Sequence, residues 1–352
     1  MKKLLKNKLL NGNAMTYVVV TVAFVILQTM LSMGMLGSAT KGFLVPICAY
    51  IVLAVSLNLL VGVCGELSLG HAGFMGIGAF TGIVVTAVLA DLLPNPMLRM
   101  AVAMVVGGIV AGILGFLIGI PVLRLRGDYL AIVTLAFGEI MKNIINNLYV
   151  GMDEKGFHAA ISTTKMELME GGKMIISGPM GANGIQKLAS FPMGFILILF
   201  TLFVVLNLIN SKEGRAIKAV RDNRIAAESV GINVTAFRMK AFVVSAFLAG
   251  MAGALFGLNY SSLQASKFNF NTSINILVFV VLGGQGRMWG SIIAAAALTV
   301  LPELLREFND YRMLVYAIVL ILVMLATNNP TLRIFFSNLR GKRTSSQKGG
   351  AN

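Results

Sequence analysis

Residues 100–122 read MAVAMVVGGIVAGILGFLIGIPV, a run without one charged or hydrogen-bonding side chain. Wound as a helix it extends about 34 Å, enough to cross the roughly 30 Å hydrocarbon core of a bilayer. In lipid every backbone amide must be bonded within its own segment or within a closed barrel. The run lacks the in-and-out alternation of a barrel strand, so it is read as a helix. Working outward, comparable runs recur near 15–36, 43–63, 71–93, 128–149, 192–210, 241–260, 273–284, 288–305 and 312–331. Only 12% of the 352 residues are charged against 57% hydrophobic, half the roughly 25% charge of soluble domains. A water-soluble globule is excluded.

Two of the runs, 273–284 and 288–305, are short and separated only by Gly283-Gly284-Gln285-Gly286-Arg287. Two short helices meeting across a glycine turn describe a broken or re-entrant hairpin, which needs protein or a water-filled cavity around it. The expected fold is therefore all-α and polytopic, with about eight full transmembrane helices plus this hairpin. Residues 1–335 form a single membrane domain, and 336–352 a disordered basic tail. The opening MKKLLKNKLLNGNAMTYVVVTVAFVILQTMLSM places basic residues before an apolar run, as a signal peptide does. That run is longer than a signal's apolar region and no small-residue cleavage site follows, so an uncleaved first span is expected.

A formal net charge of +15 invites a nucleic-acid reading, but the cations sit in short segments between apolar runs. Segments 1–14, 123–128, 211–240 and 331–352 hold 18 of the 29 Lys and Arg, and the opposite side holds 9. That asymmetry places the richer side, with both termini, in the cytoplasm. Residues 150–191 become the largest external segment, expected to form a small ordered cap. Cys48 and Cys64 make no disulfide or metal pattern.

Candidate path residues cluster in Gly62-Val63-Cys64-Gly65-Glu66-Leu67-Ser68-Leu69-Gly70-His71-Ala72-Gly73-Phe74-Met75-Gly76-Ile77-Gly78. So many glycines cost about 1 kcal/mol each inside a helix. They indicate either close helix approach or an unwound segment lining a translocation path. Gly65, Glu66, Ser68, Gly70 and His71 are the candidates here, and Gly283, Gly284, Gln285 and Gly286 are their counterparts in the second half. Glu66 and His71 are expected near the cytoplasmic ends of two spans, as interfacial polar residues. Glu139 lies about 16 Å along the span that starts at Asp128, where a carboxylate must be paired, protonated or wet. Lys142, Asn143 and Asn146 continue a polar stripe from it.

The chain shows no catalytic constellation, phosphate-binding glycine loop or metal-ligand cluster. An energy source must be supplied elsewhere. Residues 211–240, SKEGRAIKAVRDNRIAAESVGINVTAFRMK, set Ala216, Ile217, Val220 and Ala227 near helical spacing among charges, an amphipathic surface helix that binds either lipid headgroups or a soluble partner.

Four blocks resemble the branched-chain amino-acid permease family of ABC importers, the LivH/LivM family, on its LivM-like side. They are Gly65-Glu66-Leu67-Ser68-Leu69-Gly70-His71-Ala72-Gly73; Leu123-Arg124-Leu125-Arg126-Gly127-Asp128-Tyr129 through Thr134-Leu135-Ala136-Phe137-Gly138-Glu139; Glu213-Gly214-Arg215 through Ala226-Ala227-Glu228 and Gly231-Ile232; and Gly283-Gly284 through Gly286 and Gly290. The resemblance implies a permease in the bacterial inner membrane, working with a second permease subunit, two cytoplasmic ATPases that use Mg-ATP, and an external binding protein. No cofactor or metal belongs to the chain itself. It further implies that 213–232 is the coupling helix, with Glu213, Gly214, Arg215, Arg221, Ala226, Ala227, Glu228 and Gly231 contacting the ATPase. Related permeases carry urea or short amides on nearly the same blocks, so substrate is less fixed than machinery. An ion-coupled secondary transporter built on Glu139 and Lys142, and a lipid-binding scaffold, are the competing classes.

Overall fold

The computed structural model describes residues 2–34, 37–90, 92–125, 127–153, 156–161 and 172–305, with scattered positions between 311 and 321. Among the described residues eleven α-helices run in chain order: α1 Lys2–Ser32, α2 Ser38–Asn58, α3 His71–Val88, α4 Pro96–Val122, α5 Asp128–Asn146, α6 Phe191–Asn210, α7 Lys212–Asp222, α8 Arg224–Ser229, α9 Val234–Gly257, α10 Phe270–Gly283 and α11 Met288–Leu304. Polar side chains fix several starts. Ser211, Asn223, Asn233 and Asn269 each accept a backbone N–H of the first turn that follows, bonds those amides cannot make within the helix.

Among the described residues six helices are long and apolar enough to cross a membrane: Lys41–Cys64, His71–Val88, Pro96–Val122, Phe191–Asn210, Val234–Gly257 and Ala265–Gly283. The expected count of eight does not map onto them one for one. The apolar part of α1 is only Thr16–Ser32, α5 carries Asp128, Glu139 and Lys142, and most of the run at 312–331 and the whole tail 336–352 lie outside the described residues. The first hairpin arm, expected to be half a span, reaches full length because a 3₁₀ turn at Ala265–Lys267 precedes α10.

The all-α expectation also lacked a five-stranded antiparallel sheet, in the order β2-β1-β3-β4-β5. Its strands are β1 Tyr149–Asp153, β2 Gly156–Ala160, β3 Lys173–Ser177, β4 Ala182–Asn183 and β5 Ser262–Leu263. Val150 pairs with Ala159 on one side and Ile176 on the other, burying the centre of β1. The strand β5 comes from beyond α9, so the sheet fastens two distant stretches of chain together.

Helix α9 is the axis of the bundle, its residues from Leu248 to Gly257 all buried. It packs on α3 and α4 through glycine. A Cβ added at Gly78 would overlap the Gly250 carbonyl, and one at Gly253 would overlap the Met75 carbonyl. Backbones in contact gain dispersion along their whole length, the usual way membrane helices associate where lipid removes the hydrophobic drive.

Candidate functional site: a polar joint beneath the hairpin

The last turns of α2 open into a π-helical segment, Leu59–Cys64, an arrangement frequent at functional positions. Just before it sits Asn58, fully buried. Its amide nitrogen donates to Arg287 O at 3.1 Å and Ser291 Oγ at 2.8 Å, and its Oδ1 accepts from Gly286 N at 2.7 Å. One side chain thereby holds the whole turn between α10 and α11. The turn is tight because Gly284 and Gly286 adopt φ of 90° and 79°, a region closed to most side chains, and because Gly283 and Gly290 touch backbone to backbone. Gly62 closes the contact. A Cβ there would overlap both Asn58 Oδ1 and Gly286 N.

From the other side, Arg221 near the end of α7 donates to Gly62 O at 2.7 Å, while Asp222 accepts from its Nε and Nη2 at 3.1 and 2.9 Å. Its stem lies where Gly65, at φ 79°, has no side chain. Beside it, burial and then the Arg221 charge hold the Lys218 ammonium below its ordinary pKa. The loop 211–240 and the hairpin turn therefore meet at one peptide group, Gly62.

Residues 65–70 form no helix or strand and run inward between helices. Leu69 N donates to Thr134 Oγ1 at 3.0 Å, and Gly70 lies against the Thr134 and Gly138 backbones. Thr134 is about 9 Å into α5, so α3 begins inside the protein. This corrects the expectation for His71. It is not interfacial but buried, with 1% exposure, its Nε2 2.9 Å from Ser56 Oγ. Glu66 is buried between the exposed Gly65 and Leu67, and pairs with Arg238 of α9, which donates further to Leu123 O at 3.4 Å. Ser68 is buried, and its hydroxyl has no partner among the described residues.

Glu139 pairs with Lys142, as the i,i+3 spacing suggests, and accepts from Phe270 N at 3.2 Å. It thus sits against the first turn of α10, where a negative charge is favoured.

The coupling candidates divide. Gly214 and Ala227 are buried, Arg221 is exposed yet bonded to Gly62 O, and Arg215, Ala226, Glu228 and Gly231 are exposed; Glu213 pairs with Lys240. Ala227 joins Val220, Ile232 and Val234 in a small apolar cluster, leaving Ile225 and Val230 at 79% and 74% exposure on the outer side of α8. Gln285 and Gly286 are exposed, whereas Gly70 is enclosed. Asn58, Ser291 and Arg238 carry most of the joint and were not singled out in the sequence. The available signal was an amide inside the apolar run LAVSLNLLVGVC at 53–64, since an unbonded buried amide costs several kcal/mol.

A bundle of apolar helices with a unwound segment and a broken hairpin locked together by side chains defines a polytopic transport-type membrane protein. Residues 39–324 match the family model described as branched-chain amino acid transport system / permease component, and the chain belongs to that family. It is similar to the high-affinity branched-chain amino acid transport system permease protein LivM of Salmonella typhimurium, 35% identical over 84% of this chain and 69% of that one. It is also similar to the protein of the same name from Escherichia coli, 36% identical over 78% of this chain and 66% of that one. The chain thus spans about two thirds of the length of these relatives. A shorter stretch, 33% of this chain and 38% of the relative, is 32% identical to the ribose import permease protein RbsC of Haemophilus influenzae. No solved structure matches significantly. The family is one of transport permeases rather than enzymes.

Proposed function

We propose that this chain is a permease subunit of an ATP-driven importer of leucine, isoleucine and valine. It sits in the bacterial inner membrane with both termini cytoplasmic and pairs with a second permease subunit. Two cytoplasmic ATPases hydrolyse Mg-ATP, the chain itself binding no cofactor, and an external binding protein delivers substrate to the face that carries the sheet. The relatives named LivM support the substrate.

The observation that carries the coupling role is α8. A polar loop presents two exposed large apolar side chains, Ile225 and Val230, on a helix propped from beneath by Val220, Ala227, Ile232 and Val234. Exposed apolar anchors on a rigid base are what a protein partner docks on. When the ATPases close, a docked α7–α8 unit moves as a lever, and Arg221 carries that motion to Gly62 and so to the hairpin turn held by Asn58. Two packings of the joint then correspond to two accessibilities of the path. Glu139 is less suited to ion coupling, being already paired with Lys142 and bonded to Phe270 N.

Reconstituted with its partners, the complex is expected to take up leucine only with ATP. Uptake that continues without nucleotide and collapses with the proton gradient would contradict this reading.

A further inference from the structure

Between α2, the end of α9 and the segment that leads into α10 lies a cavity of about 480 Å³, within the roughly 300–1,000 Å³ of small-molecule sites. It lies apart from the polar joint, and the path candidate Glu139 stands at its edge, accepting from Phe270 N between the lining residues Asn269 and Asn271. One wall is aromatic: Tyr50, Phe256, Tyr260 and Phe268. These rings are fixed by one another, with centroid distances of 5.9 Å for Tyr50–Phe256, 5.0 Å for Phe256–Tyr260 and 6.3 Å for Phe256–Phe268. Phe268 is further seated in the space left by Gly76, where a Cβ would come within 3.0 Å of its ring. Polar residues complete the lining. Lys267 stands with its ammonium 4.4 Å above the Tyr260 ring, and Asn271 is an exposed lining residue. No carboxylate lines it.

We infer that this cavity binds one free zwitterionic amino acid with an aliphatic side chain, the side chain against the aromatic wall, the carboxylate on Lys267, which the Tyr260 ring holds in place, and the ammonium on the Asn271 amide oxygen. A rigid apolar wall removes water from a branched side chain without ordering cost to the protein. A cation on the lining, where no carboxylate lines the cavity, selects for a carboxylate, and Glu139, bonded to Phe270 N just outside the lining, is already paired with Lys142. Urea or a short amide has neither group, so it gains little here. The inference rests on the proposed permease role and narrows it: specificity is read in the membrane as well as by the delivering protein. Position adds to the assignment, because the polar lining residues lie at the entry to α10, and α10 ends in the hairpin turn that Asn58 and Arg221 tie to the coupling loop.

The test uses the complete purified complex without its binding protein, with tritiated leucine measured by scintillation proximity and urea and alanine as competitors. Leucine is expected to bind and alanine to compete weakly. K267Q is expected to weaken leucine binding about tenfold, K267R to restore most of it, and Y260A to narrow the preference for leucine over alanine by at least about threefold. Wild-type leucine binding that K267Q and Y260A both leave unchanged overturns the site while leaving the permease role standing. If urea displaces leucine as well as leucine itself does, the substrate class is wrong. Should K267Q fail to assemble, K267R decides: assembled complex without leucine binding sinks the inference, and retained binding upholds it. Failure of the permease role itself would show separately, as no ATP-dependent leucine uptake by the wild-type complex.

Discussion

Two seams hold this molecule together, and they are built in opposite ways. Where α9 meets α3 and α4 the contact is glycine on backbone, without a hydrogen bond between side chains among the described residues. Where α2 meets the α10–α11 turn the contact is a network: Asn58 on Gly286, Arg287 and Ser291, with Arg221 on Gly62. Close-packed backbones have one good arrangement, since any displacement loses dispersion everywhere at once. Hydrogen bonds between a side chain and a turn can be exchanged singly. The first seam suits a fixed frame and the second a joint that moves.

Substitutions separate the two. The largest loss is expected from Gly78→Leu or Gly253→Leu, whose side chains would start inside a neighbouring carbonyl. No monodisperse protein should be recovered in size-exclusion chromatography, the cost exceeding the roughly 1–3 kcal/mol typical of overpacking. Next, Arg238→Met strands Glu66 in a buried site. Breaking such a pair costs about 3–5 kcal/mol, visible as a lower thermal midpoint, and a smaller drop for Arg238→Met combined with Glu66→Leu would identify the unpaired charge as the cause.

Asn58→Leu leaves the Gly286 amide and Ser291 hydroxyl without their partner, for about 2–3 kcal/mol. Asn58→Asp still accepts from Gly286 N but buries a carboxylate and sets an oxygen against the Arg287 carbonyl, so it should cost at least as much. If Asn58→Leu abolishes transport while the protein remains folded, and ATP hydrolysis continues, the joint is a moving part. If stability and transport fall in proportion, it is only another frame contact. The smallest effect on stability belongs to Ile225→Asp, which removes an exposed side chain and should shift the thermal midpoint hardly at all. Its readout is loss of co-purifying ATPase subunits. Retained ATPase with this variant and with Val230→Asp would show that α8 is not the handle. Arg221→Glu is expected to keep ATPase bound and uncouple hydrolysis from uptake, since Arg221, though exposed, ties the loop to Gly62 through Nη1.

Much of the frame was legible in the chain. Runs such as 100–122 admit only a membrane helix, and Gly283-Gly284-Gln285-Gly286 admits only a turn, because local rules of backbone and solvent decide both. The spacing of Glu139 and Lys142 likewise foretold their pair. What could not be read was anything requiring two distant segments. The placement of His71 depended on residues 65–70 running inward along α5, and a glycine-rich stretch looks the same whether its backbone faces water or another helix. Of the strands at 149–183, only β4 has a distant partner, β5 at 262–263; β1, β2 and β3 pair among themselves but are short and lack a clean apolar alternation.

By itself the sequence determined that this protein lives in lipid, where it turns back and which loop carries its cations. These follow from transfer free energies and backbone sterics that act within about 20 residues. Only the tertiary structure decided which glycines touch, that Asn58 grips a turn 228 residues away, and that Tyr50, Phe256, Tyr260 and Lys267 enclose one space. Such pairings depend on complementary shape across helices, and local patterning carries no record of the partner.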